Sequence, residues 1–371
     1  MTSLPILNKM FQGFLILLAL LLFPAPSDGQ TSAPPNQPEP LKTVFQTGHT
    51  AWTQGLRFRN DEKLFASLDE SGVVKVWRTS DGRLLATWPI DLSLHPGDYI
   101  WDQFWFDDQQ NLVFNNLDDG QWRTTVYDTL SGKLLVKRAT PLPGRTVEDI
   151  SDNGRTIAFL AETASGASPS LELRQTSDLS VIAAFNIPDA EQSSMSLSPT
   201  GKYLAASTKN PDQGSLPGKL YVWRISDQTA FGPFPINDNL LGVSDQGIAA
   251  VASEGKISFY QVKDWSLVRE FEFPSLPDFA SFSPTGRYFI AMSRFDLEWR
   301  VWDQESPKAV LSSETYADIS SFVPDALFSP TGDYLVLKGP AQQGSGGFFF
   351  SPALGLWDLA HGTGGPITDA G

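Results

Sequence analysis

Three histidines, His49, His95 and His361, are the only imidazoles in the 371 residues, and no cysteine accompanies them. No spacing among them suits metal ligation, and the absence of thiols excludes disulfides, thiolate metal sites and a Cys nucleophile. Neither a Gly-x-Ser-x-Gly elbow nor a His-Glu-x-x-His pair occurs. "GSLPGKL" from Gly214 is one residue short of a phosphate loop and lacks a Ser or Thr after Lys219. The remaining reactive groups are carboxylates: Asp91, Asp98, Asp149, Glu191, Asp278, Asp318 and Asp325. Brought to one axis, they would hold Ca²⁺ through oxygen ligands or polarise a substrate. Scattered solvated acids of an acidic chain account for the same residues, and no EF-hand spacing connects them. The expectation is therefore a chain without a catalytic residue, metal or cofactor.

The elements that would position such groups recur. Ser-Pro-Thr-Gly occurs at Ser198, Ser283 and Ser329, each time before an aromatic-rich apolar run. Weaker copies begin at Arg59, Asp107, Ser151 and Ser244, giving seven units 39 to 48 residues apart. That period matches one four-stranded propeller blade per unit. Pro presets φ at the second turn position and Gly suits the fourth, so the motif is read as a tight connector. Downstream of each turn a short strand ends in a large residue, at Trp77, Tyr127, Arg174, Trp223, Tyr260, Trp302 and Trp357. Alternating Val, Tyr and Trp suit strands buried between stacked sheets.

These units, with Trp302-Asp303, Trp357-Asp358 and "GHTAWTQGLRF" from Gly48, resemble the WD-repeat propeller family. The resemblance covers nearly all of 41–362. It implies that a His, an Asp, a Ser or Thr and the Trp of a blade share hydrogen bonds. His49, Ser67 and Trp77 match three of those places, with Ser71 near the place of the acid. Only Gly48-His49 preserves the Gly-His pair, so the other blades are expected to rely on packing. The implied architecture is all-β, a seven-bladed propeller of four-stranded antiparallel blades. Because "TGGPITDAG" is a poor strand, "LKTVF" (Leu41 to Phe45) is expected to complete the last blade as an N-terminal latch.

Connections between repeats, and between second and third strands, vary in length and emerge on one face. Insertions gathered on one face mark the binding surface of repeat proteins. Aromatic candidates there are Trp52, Tyr99, Trp101, Trp122, Phe295, Trp299 and Phe348, Phe349 and Phe350. They would anchor a protein partner or stack on a sugar; packing between blades is the competing use for Trp101, Trp299 and the Phe run.

The N-terminus reads as an export signal, residues 1–27, with Lys9 before an apolar run from Phe11 to Phe23. An uncleaved anchor is the lesser alternative. Residues 28–40 form a Pro- and Gln-rich linker, 41–362 the propeller and 363–371 a tail. A formal net charge of −15 argues against nucleic acid as partner. The expected protein is secreted or periplasmic, without a stable membrane span after signal removal. It is expected to bind a protein or peptide as a non-enzymatic scaffold. A lactonase-like or glycan-acting propeller hydrolase, and a glycan-binding propeller, are the alternatives.

Overall fold

The computed structural model describes residue 49 and residues 53–90, 104–118, 121–141, 145–161, 170–187, 192–209, 217–236, 239–253, 255–293, 296, 298–306, 308–313, 325–339 and 353–366. Among them there is no helix, and the strands form seven four-stranded antiparallel sheets. Blade 1 comprises β1 (Thr53–Phe58), β2 (Leu64–Asp69), β3 (Val73–Arg78) and β4 (Leu84–Pro89). Blade 2 comprises β5 (Phe104–Phe106), β6 (Leu112–Asp118), β7 (Gln121–Tyr127) and β8 (Leu134–Pro141). Blade 3 has β9 (Arg145–Ile150), β10 (Thr156–Ala161), β11 (Ser170–Gln175) and β12 (Val181–Asn186). In blade 4 the strands are β13 (Gln192–Leu197), β14 (Tyr203–Lys209), β15 (Pro217–Arg224) and β16 (Thr229–Pro235). Blade 5 follows with β17 (Asn239–Val243), β18 (Ile248–Ser253), β19 (Lys256–Gln261) and β20 (Ser266–Glu272). Blade 6 holds β21 (Phe279–Phe282), β22 (Tyr288–Ser293), β23 (Glu298–Asp303) and β24 (Ala309–Ser312). Blade 7 ends the series with β25 (Asp325–Phe328), β26 (Tyr334–Gly339), β27 (Ala353–Asp358) and β28 (Thr363–Pro366).

The order within every sheet is the sequence order, so each blade is a meander whose first strand lies innermost. Second strands are the most buried: β2 and β22 are covered at every residue. Both faces of each sheet meet a neighbouring blade, which is why these strands read as apolar runs rather than as alternation. The core accordingly lies between blades. Phe271 and Phe273 of blade 5 pack with Phe282, Phe289 and Trp302 of blade 6. Leu56, Phe58, Phe65 and Trp77 of blade 1 pack with Leu327, Val336 and Leu354 of blade 7, closing the ring. Each fully buried aromatic or Leu side chain contributes roughly 1.5–3 kcal/mol.

The expected latch is corrected by the last sheet. Its fourth strand is β28, paired to β27 through Gly355↔Pro366, Leu356↔Gly365 and Trp357↔Gly364. Residues 363–366, read from sequence as tail, extend as a strand because an outer strand needs backbone pairing more than side-chain burial. Leu41 to Phe45 lie outside the described residues.

The Ser-Pro-Thr-Gly turns do more than connect strands. The backbone N–H of Gly201, Gly286 and Gly332 donates to the carbonyl of Ser198, Ser283 and Ser329, at 2.8 Å in each case. The serine Oγ then accepts the N–H of Tyr203, Tyr288 or Tyr334 at 3.0–3.1 Å. Gly332 takes φ 79°, and the degenerate turns place Glu62 (φ 58°) and Gln110 (φ 67°) at the same left-handed position. Glycine relieves that conformation and also makes room: a Cβ on Gly286 would meet Gln246 Oε1 at 2.0 Å.

Turns also clasp the next blade. Asp245 Oδ1 accepts Ser198 Oγ at 2.6 Å, and Gln246 Nε2 donates to the Thr285 carbonyl at 2.8 Å. At the seam between blades 7 and 1, Thr331 donates from its N–H and its Oγ1 to the Glu62 carboxylate.

Candidate functional site

One polar constellation is buried in blade 1. Phe65 pairs with Trp77 across β2 and β3, which sets Ser67 one step along the same face as Phe65. The Trp77 Nε1–H donates to Ser67 Oγ at 2.8 Å. Ser67 Oγ lies 2.7 Å from His49 Nε2, and His49 Nδ1 lies 2.7 Å from Asp69 Oδ2. The donor inventory orders the chain. Indole N–H only donates, so Ser67 Oγ accepts from Trp77 and keeps a second hydrogen bond for His49 Nε2. A carboxylate only accepts, so His49 Nδ1 carries the hydrogen directed at Asp69. Asp69 Oδ1 accepts three further bonds, from Ser71 N–H (3.0 Å), Ser71 Oγ (2.7 Å) and Val73 N–H (2.9 Å).

This assigns the acid differently from the sequence reading. Asp69 holds the imidazole, and Ser71, expected near that place, donates to Asp69 instead. The signal was present: an acid two residues beyond Ser67 shares its strand face, and "DESG" is a turn that an aspartate caps. Burial pushes the Asp69 carboxyl up, but the bonds from His49, Ser71 and Val73 outweigh it and hold the group below the usual range.

Ser67, His49 and Asp69 also satisfy the distances of a nucleophile–base–acid triad. Their burial argues for another role. His49 is 2% exposed and Ser67 and Asp69 are 0% exposed. The Trp77 N–H already occupies Ser67 Oγ, and a carbonyl substrate has no approach to it. The chain of bonds fastens Trp77, which stacks on Phe65 at 6.1 Å with 16° between planes.

The candidate binding residues separate into groups. Trp299 leaves the candidate surface: it is 2% exposed and meets Trp357 edge-on at 6.0 Å between blades 6 and 7. Its position on β23, across from Met292 of the buried strand β22, makes it core. Trp122 lies on β7, paired with Leu117 and Thr140, and its side chain is outside the described residues. Trp52, Tyr99, Trp101, Phe295 and Phe348 to Phe350 also lie outside them.

Antiparallel order puts the first-to-second and third-to-fourth connections on one face of the ring and the other two classes on the opposite face. On the first face every connection is short, the longest being 128–133. Its third-to-fourth turns are capped by a repeated aspartate. Asp128 Oδ1 accepts the N–H and Oγ of Ser131, and Asp264 Oδ1 those of Ser266. These bonds hold both carboxyls below their ordinary range. The opposite face carries the facing ends of β4 and β5, β10 and β11, β14 and β15, β24 and β25, and β26 and β27, the consecutive strands separated by the longest stretches of sequence.

Of the carboxylates considered for a channel site, Asp149 has a structural use. Its Oδ1 accepts the Ile150 N–H at 2.8 Å, and its Oδ2 the Leu197 N–H of blade 4 at 2.6 Å. Asp278 is exposed before β21, and Asp325 opens β25. Asp91, Asp98, Glu191 and Asp318 lie outside the described residues. Among the described residues no three His, Asp or Glu side chains group as metal ligands, and no helix is long and apolar enough to cross a membrane. Comparison with protein-family models and with curated proteins found no match.

Proposed function

We propose that this chain is a WD-repeat-like propeller that works as a non-enzymatic protein-binding module, exported by its N-terminal segment. It holds its partner on the face of the long connections. The observation that carries the reading is the division between faces. One side is a ring of short turns, each tied by its own hydrogen bonds and several clasped to the next blade. The strand ends separated by the longest stretches of sequence lie on the other side. Short tied connections on one side hold neighbouring blades together, and insertions gathered on one face of a repeat protein often form its binding face. The four-membered network of His49, Ser67, Asp69 and Trp77 supports the kinship with WD repeats. The seven-bladed architecture alone would be fold-level analogy.

The test is affinity capture from extract with the full chain and with a variant carrying Phe348→Ser, Phe349→Ser and Phe350→Ser. A second variant lacks 342–347. Both are expected to melt as the wild type does and to retain much less partner. Equal capture by all three chains would remove the long-connection face as the binding surface.

A further inference from the structure

Outer strands are where a propeller blade ends, and β8 of blade 2 differs from the others. It is the terminal strand of its sheet, so one backbone edge has no partner strand among the described residues. Leu134, Leu135 and Val136 are 41%, 46% and 45% exposed, and Leu130 in the preceding turn is 54% exposed. The register explains three consecutive exposed apolar residues. Tyr127 pairs with Leu134 and Val126 with Val136, so Leu135 is the extra residue of a β-bulge and alternation is interrupted there.

Charge sets the strand apart as well. Lys133 and Lys137 flank the apolar run and are exposed. From Thr129 to Val147 there are four cations and no acid, in a chain of net charge −15. The nearest acid in sequence, Asp128, accepts from Ser131 and also attracts Lys133, while Lys137 has no acid within eight residues of it in sequence. Strand β20 also exposes Leu267 and Val268, but Asp264, Glu270 and Glu272 border it.

We propose that the outer edge of β8 is a second docking surface, which takes up an extended segment of a protein partner whose carboxylates flank a short apolar run. Strand addition supplies backbone bonds from the free edge, and the side chains select the occupant. The lysines decide which occupant. A second copy pairing antiparallel about Leu135 would set Lys133 of one chain against Lys137 of the other, and like charges directly opposite are destabilising. An acidic-flanked strand turns both positions into attraction while covering Leu134 to Val136. This surface lies on the rim and does not rest on the binding role of the long connections.

The experiment measures fluorescence anisotropy of the full chain with a labelled peptide, Ser-Glu-Val-Ile-Val-Glu-Ser, and with the same peptide carrying Lys for Glu. The acidic peptide is expected to bind about tenfold tighter, the difference two reversed cross-strand charge pairs would give. The double variant Lys133→Glu with Lys137→Glu, its fold checked by thermal melting, should invert the preference. Hydrogen exchange should show slowed amides within 134–140 on binding of the acidic peptide. Equal affinity for the two peptides, no binding of either, a preference the double variant leaves unmoved, or protection elsewhere would each overturn the proposal. The Phe348 to Phe350 variant should keep the preference, so failure of the long-connection surface and failure of this one are told apart.

Discussion

Trp77 in blade 1 and Trp302 in blade 6 stand at the same place, the end of the third strand, and are held by different means. Each faces the preceding blade. Trp302 stacks on Phe271, an outer-strand residue of blade 5, at 5.0 Å and 4°, with Phe273 edge-on at 6.0 Å. The same device recurs where Trp223 meets Phe185 at 5.1 Å and Tyr127 meets Trp88 at 5.3 Å. The outer strand of blade 7 is Thr-Gly-Gly-Pro and supplies Trp77 with no such ring. Its anchor comes from within its own blade, through Ser67, His49 and Asp69. At the equivalent of Ser67 the other second strands, aligned through their pairing, carry Phe114, Phe159, Ala206, Val251, Ala291 and Leu337. The polar network occurs at the seam with blade 7, whose outer strand supplies no aromatic.

The largest effect should come from the packed blade. Phe271→Ala removes the ring beneath Trp302 and is expected to lower unfolding free energy by about 3–5 kcal/mol, read from the denaturant midpoint at constant slope. A loss below 1 kcal/mol would mean that blade 6 does not depend on the stack.

In blade 1, Ser67→Ala should cost about 1–3 kcal/mol, the penalty for leaving the buried Trp77 N–H without its acceptor. Combined with His49→Ala the losses should be far from additive, since both break one chain of bonds. Additive losses would show that the network is not a unit.

The smallest and most specific effect is in pH. The Asp69 carboxyl is lowered in the folded protein, so its stabilisation is full above the unfolded value of about 4. It is lost as pH falls through the folded value. Between about pH 5 and 3 the wild type should therefore lose more stability than Asp69→Asn, measured by urea melts at each pH. Parallel curves would contradict the assignment of Asp69 as the acid of the network.

Much of the fold was legible because turn chemistry repeats. Ser198, Ser283 and Ser329 set the period, and the strand-ending aromatics set the order. The clasps between turns were not legible, because Gln246 reaches Thr285 and Glu62 reaches Thr331 across large separations in sequence. The closing strand misled for a local reason. Residues 363–366 lack β-forming side chains, yet pair through backbone that no composition rule reads. In the candidate site, His49, Ser67 and Trp77 were legible from type and order. Asp69 was passed over because Ser71 lies beside it in the same turn. Trp299 could be told from a surface aromatic only by its burial against blade 7.

The division between faces is measured most directly by amide hydrogen exchange of the full chain, free and with the captured partner. Slowed exchange is predicted in 90–103, 162–169, 313–324 and 340–352, with the turns 59–63, 198–202, 283–287 and 329–333 unchanged. Protection of those short turns, with the long connections unaffected, would contradict it.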